Sequence, residues 1–223
     1  MGKYFFLIIL IFIKYNIIKT LNNEKIILEN EIGEIGNYTY ELWKDSVDPG
    51  QTKMILGKDG KFSCSWENVG NVLFRIGKRW NGTKTYQEIG KIKVNYEFDF
   101  ISNGTSRIAI YGWTKNPFIE YYILENWEGY IPNTNKIASL FVDGSNYDMY
   151  KVELSAFDAD RMIQLWSIRT KKRNKGTVSV NEHFKTWENF RYKLGKMYEV
   201  SLCVEGYRSF GNANITKNEI IIE

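Results

Sequence analysis

From residue 38 onward, apolar and aromatic residues recur at every second position in short runs, and Gly, Asn or Asp separates one run from the next. FIEYYILENW (118–127), SRIAIYGWT (106–114) and YEVSLCVEGYRS (198–209) are examples. A period of two places alternate side chains on opposite faces of a strand. Phe118, Glu120, Tyr122 and Leu124 therefore share one face of their strand, and Ile119, Tyr121, Ile123 and Glu125 the other. One stretch alone has helical spacing: NEHFKTWENF (181–190), with Asn181 as its expected N-cap and Phe184 and Trp187 three apart. Many strands with a single short α-helix predict an all-β fold, a β-sandwich or jelly roll of two packed antiparallel sheets. No internal repeat or Pro-rich linker divides the run of strands, so residues 38–223 form one expected domain.

The residues before 38 differ in kind. A lysine and an apolar run from Tyr4 to Ile13 have the size of a signal-peptide core, so residues 1–20 are expected to be a signal peptide and the protein to be secreted. An uncleaved anchor is the alternative. Residues 21–37 are polar and read as a spacer. The net charge of +4 lies partly in the leader, so no nucleic-acid partner is expected, and no stable membrane association after its removal. The dense basic run RTKKRNK (169–175) reads as a solvated hairpin turn.

Cys64 and Cys203 are the only cysteines and His183 the only histidine. The cysteines could pair if the fold brings them together. One histidine and two cysteines do not make the usual zinc site, so no metal or other cofactor is expected. His183 is expected to pack or cap the helix. That leaves carboxylates as the chemical groups. Glu120 sits on an aromatic strand face, where a lone carboxylate is costly unless something uses it. Glu205 has the same signature: it shares a face with Glu199, Ser201, Cys203 and Tyr207, while Val200, Leu202 and Val204 point to the core. Two glutamates on an aromatic-lined sheet are equipment for cleaving a glycosidic bond, one carboxyl attacking and the other donating a proton. Flat aromatic rings suit the apolar faces of sugars. A lectin would show similar aromatics without needing the pair.

Beyond these features, the chain resembles the jelly-roll xylanases of glycoside hydrolase family 11. The resemblance rests on YELWKDS (40–46), FSCSWENVGNVLFRIGKRW (62–80), YGWTKNPFIEYYILENW (111–127), DGSNYDMY (143–150), QLWSIRTKKR (164–173), GTVSVNEHFKTWE (176–188) and YEVSLCVEGYRSFGNANIT (198–216). It implies two strongly curved sheets and a cofactor-free, monomeric endo-β-1,4-xylanase acting on xylan and xylo-oligosaccharides. It implies Glu120 as nucleophile and Glu205 as acid/base, with retention of anomeric configuration. Trp43 is implied as a sugar platform, Tyr111 and Tyr122 as partners of substrate beside the nucleophile, and Gln164 and Tyr207 as further cleft residues. Asn71 matches the family position that carries Asn or Asp beside the acid/base, where Asn accompanies milder pH optima. A non-catalytic xylan-binding protein and a β-1,4-glucanase on the same sheet are the rival readings.

Two segments depart from the family pattern. The interval KVELSAFDADRMI (151–163) replaces a longer hairpin with a Pro-Ser-Ile tip. Glu128-Gly129-Tyr130-Ile131-Pro132 lacks the arginine usual before its proline. Both put binding contacts in question and leave the two glutamates untouched.

Overall fold

The computed structural model describes residues 24–154 and 162–223. The strands are β1 (Lys25–Ile27), β2 (Glu31–Ile35), β3 (Tyr38–Lys44), β4 (Gln51–Leu56), β5 (Phe62–Arg79), β6 (Ile92–Lys115), β7 (Ile119–Glu128), β8 (Lys136–Val142), β9 (Ser145–Leu154), β10 (Met162–Arg169), β11 (Lys175–Ser179), β12 (Lys196–Met197) and β13 (Glu199–Ile222). The order across the sheet is β1-β4-β5-β13-β6-β7-β10-β9-β8, with β2 and β3 attached beside β5 and β11 and β12 beside β6.

Three long strands, β5, β6 and β13, run through both layers of the jelly roll. The first half of β5 pairs with β4 and its second half with β3. The first half of β6 pairs with β11 and its second half with β7. The corner is built where these partners change. Asn68, Gly104 and Arg208 have φ of 54°, 95° and 46°, one left-handed residue in each long strand. The β13 register slips beside them, between Ser209 and Gly211 against β5 and between Tyr207 and Phe210 against β6. Such bulges bend a strand and increase its twist. The pairing is antiparallel except for β7 and β10, which run parallel.

Burial follows the period of two. Ile119, Tyr121 and Ile123 of β7 join the main core with Val200, Leu202 and Val204 of β13. Tyr122, Leu124 and Cys203 lie on the other face, in a second buried cluster with Tyr111 and Trp166. The helix α2 (Val180–Asn189) closes one end of the core: Phe184 meets Tyr121 edge-on at 4.8 Å.

Several expectations need correction. A second helix, the single turn α1 (Tyr86–Ile89), is present and carries a capping box between Thr85 and Glu88. The stretch read as a spacer supplies β1 and β2, which pair with β4 and β3. The N-cap of α2 is Ser179, not Asn181; Asn181 instead ties Ile92 N and Gly90 O across to β6. RTKKRNK is not a hairpin turn, since β10 and β11 pair with different strands. Its Lys171 and Lys172 are exposed, but Arg173 Nε donates to the buried Glu125 at 2.5 Å, and Arg169 is buried beside Tyr147. Cys64 and Cys203 are free thiols in different buried clusters. The leader expected over residues 1–20 lies outside the described residues, as do 155–161 of the atypical 151–163 interval.

Candidate active site

The concave face of the inner layer holds a cavity of about 820 Å³. All eight residues singled out from the sequence line it: Trp43, Asn71, Tyr111, Glu120, Tyr122, Gln164, Glu205 and Tyr207. Strand register explains the convergence. Glu120 stands opposite Trp113 of β6, and Glu205 opposite Arg107 of the same strand. Tyr111 lies between those two positions on β6 and pairs with Tyr122. The strong curl of the layer brings both carboxyls into one hollow.

The two glutamates are equally buried and unequally served. Glu120 is 5% exposed and Glu205 6%. Tyr111 and Tyr122 each donate a hydroxyl hydrogen bond to Glu120 Oε1, at 2.8 and 3.1 Å, and Gln164 Nε2 donates to Oε2 at 2.6 Å. Gln164 is in turn fixed by Trp166 Nε1, which donates to its Oε1 at 3.2 Å. Glu205 Oε2 is buried without a hydrogen-bond partner, and the nearest cation, Arg107 Nη1, is 3.7 Å away. Burial raises the pKa of both. For Glu120 the donors from Gln164, Tyr111 and Tyr122 oppose that rise, while the charge of Glu205 adds to it. For Glu205 the Arg107 charge and the Tyr122 hydroxyl oppose it.

Aromatic rings floor and flank the pair. Tyr122 and Trp166 stack, Tyr111 meets Tyr122 edge-on at 5.0 Å, and Trp113 meets Tyr111 edge-on at 6.0 Å. Trp43 and Tyr207 are 39% and 42% exposed, so each presents open ring surface to the cavity. One flank is charged. Arg75 and Arg79 both donate to Glu41 Oε2, and they also face Glu199, which is 1% exposed. Burial works against the Glu41 anion, yet these arginines hold its pKa below the ordinary carboxylate range.

Asn71 lines the same cavity as Glu205. It lies opposite Tyr207, one diagonal step from Glu205, but makes no hydrogen bond to it: its Oδ1 is buried without a partner. Asn71 Oδ1 and Glu205 Oε2 are thus two buried acceptor oxygens of the cavity without a hydrogen-bond partner.

Sequence reasoning missed Arg107, Arg75, Trp113 and Trp166. Their signal was the same alternation: Arg107, Ala109, Tyr111 and Trp113 share a face of β6, and Trp166 follows Gln164 by two. Tyr130 and Pro132 of the divergent 128–132 stretch and Val152 and Leu154 also reach the cavity. His183 is buried in α2 with Nδ1 2.8 Å from Ser167 Oγ, away from the cavity. Among the described residues, no group of three or more His, Cys, Asp or Glu is arranged to hold a metal.

Known proteins resemble this chain in sequence and in fold. Endo-1,4-beta-xylanase A of Thermoclostridium stercorarium is 49% identical over 203 residues, covering 89% of this chain and 31% of that protein. The chain thus spans about a third of the length of that relative. Endo-1,4-beta-xylanase A of Bacillus pumilus is 42% identical over 200 residues, covering 88% of this chain and 86% of that protein. The solved family 11 xylanase of Neocallimastix patriciarum superposes with a TM-score of 0.83 at 27% identity, covering 89% of this chain and 100% of that one. The pattern of Glycosyl hydrolases family 11 matches residues 35–216, nearly the whole run of strands, and the chain belongs to that family.

Proposed function

We propose that the protein is an endo-1,4-β-xylanase that retains anomeric configuration, with Glu120 as nucleophile and Glu205 as acid/base. The xylanase names of its relatives support the substrate. The observation that carries the assignment of roles is the unequal hydrogen bonding of the two buried carboxyls. Three donors favour the anion of Glu120, and a bare, buried Oε2 favours the protonated form of Glu205. Like charges in one hollow add to the separation, since both cannot ionise easily together.

In the first step Glu120 attacks the anomeric carbon while Glu205 gives its proton to the departing glycosidic oxygen. The C–O bond of xylan breaks and a glycosyl ester forms on Glu120. Esterification removes the Glu120 charge, so the pKa of Glu205 falls and its carboxylate can take a proton from water. That water attacks the same carbon from the face the first sugar left, and Glu120 is released as the carboxylate. Trp43, Tyr207 and the rings around Glu120 offer stacking surfaces for successive sugars. One chain supplies all the lining residues of the cavity, which supports action as a monomer, and the apolar run near the N-terminus supports export from the cell.

The test is reducing-sugar release from xylan and from carboxymethyl-cellulose by wild type and Glu120→Gln. Activity on xylan, lost in the variant while it still binds xylo-oligosaccharides, is expected. Residual activity within about tenfold of wild type would overturn the assignment of Glu120. Preference for the cellulose derivative would point to a glucanase, and binding without hydrolysis by wild type to a xylan-binding protein. Proton NMR of the first product anomer checks retention.

A further inference from the structure

Arg107 is 8% exposed, lines the cavity, and sits directly across from Glu205 in the β6·β13 ladder. Its guanidinium carbon stands 4.9 Å over the Trp166 ring, and its Nη1 is 3.7 Å from Glu205 Oε2. Its Nε is buried without a hydrogen-bond partner. A buried cation with so little fixed to it is expensive to keep. Among the described residues, Glu205 is the one carboxylate paired with it. Yet the first chemical step needs Glu205 protonated, so Arg107 has its counter-charge only after the proton has left.

We propose that Arg107 is a positioning residue for the acid/base: it stabilises the Glu205 carboxylate formed by proton donation and orients it to take a proton from water in the second step. The inference rests on the xylanase reading given above. It assigns Arg107 no contact with the sugar. The proton goes from Glu205 to the leaving oxygen in the first step, and from water back to Glu205 in the second.

Other charged and titratable groups face Glu205 and set the background. Tyr111 lies on β6, and Glu120 and Tyr122 on β7. Cys203 and Tyr207 are on its own strand. Arg75 approaches from β5, but Glu41 and Glu199 already engage its charge, whereas Arg107 has Glu205 alone among the described carboxylates.

The experiment compares wild type, Arg107→Met and Arg107→Lys. The pH profile of kcat/KM for a xylo-oligosaccharide reads Glu205 in the free enzyme through its alkaline limb. Reactivation of enzyme trapped on a 2-fluoro-xylobioside reads it in the glycosyl-enzyme, since reactivation requires the Glu205 carboxylate. Loss of the cation removes stabilisation of that carboxylate. Arg107→Met should therefore move both the alkaline limb and the rise of the reactivation rate upward, by about one unit. Arg107→Lys should keep both near wild type. Thermal melts confirm that the variants are folded, and Arg107→Gln, which also removes the charge, carries the test if the methionine variant is not. Unmoved limbs in folded Arg107→Met, with activity reduced equally at every pH, would overturn the proposal. So would limbs that shift as far in Arg107→Lys as in Arg107→Met. Wild type that releases no sugar from xylan would instead sink the xylanase reading.

Discussion

Tyr122 and Trp166 stack face to face, with ring centroids 3.9 Å apart and planes 4° from parallel. They are register partners in the one parallel strand pair among the described residues, β7 against β10. Side chains at paired positions of neighbouring strands point the same way, so the ladder itself aligns the two rings. The stack fixes the Tyr122 ring, and with it the hydroxyl that donates to Glu120.

That hydroxyl can be removed alone. Tyr122→Phe keeps the stack and deletes a hydrogen bond to a carboxylate, an interaction of about 1.5–3 kcal/mol. The Tyr122 donor holds the Glu120 pKa down. Its loss raises that pKa, so the acid limb of kcat/KM moves to higher pH. We expect kcat/KM to fall by about 10- to 100-fold at the optimum. A pH–rate profile with an unmoved acid limb would show that the hydroxyl does not act on Glu120.

Trp43 is a surface of the cavity rather than part of the core. Trp43→Ala should reduce kcat/KM by several-fold, from a stacking contribution of about 1 kcal/mol, and leave the melting temperature nearly unchanged. Trp187, which is 0% exposed, is the control. Trp187→Ala should cost about 3–5 kcal/mol of folding free energy. Thermal melts beside kinetics separate the two behaviours.

Asn71 can be given a charge. In Asn71→Asp the new carboxyl shares the cavity with Glu205, and the two titrate as a pair. The active form then needs one more proton, which is held only at lower pH. We expect a mildly acidic to near-neutral optimum for wild type and a shift of at least about one unit toward acid in Asn71→Asp. Coincident bell curves for the two forms would mean that position 71 does not sense the acid/base.

His183 governs stability rather than rate. Burial, and then the charge of Arg173, lower its pKa from the ordinary value to about 3. The unfolded chain takes up a proton below about pH 6.5, and the folded chain does so only near 3. The unfolded state thus binds more protons in that window, and stability falls as pH drops from 6.5 toward 3, by up to about 1.4 kcal/mol per unit. His183→Gln, which still offers Ser167 an acceptor, should lose less over the same range. The difference between the two curves of melting temperature against pH isolates the histidine.

Alternation along the strands was the most legible signal, because one face of β7 and β13 packs into the core and the other lines the cavity. The same rule that put Tyr121 inside put Glu120 and Tyr122 at the site. Residues 25–35 were harder. Of β1 only Ile27 is buried, and no residue of β2 is, so these edge strands carry almost no apolar period. The RTKKRNK run misled because its composition is that of a surface. Its inward arginines depend on Glu125 and Tyr147, far away in sequence. The alternation put Arg107 on the cavity face but did not name its partner. Its meaning comes from lying opposite Glu205, and that pairing exists only once β6 and β13 have met.

The central position of β13 has a consequence for how the molecule is made. Every other strand precedes it in the sequence, yet β5 and β6, its two neighbours in the sheet, are joined to each other only through it. During synthesis the earlier strands must wait with two long edges open until residues 199–222 arrive. Pairings between such distant residues are slow to form, and open edges invite association with other chains. Insertion of that strand joins the halves of the sheet, shields those edges and delivers Glu205 to Glu120 in the same event. A nascent chain stopped before residue 199 would be both catalytically incomplete and prone to aggregate.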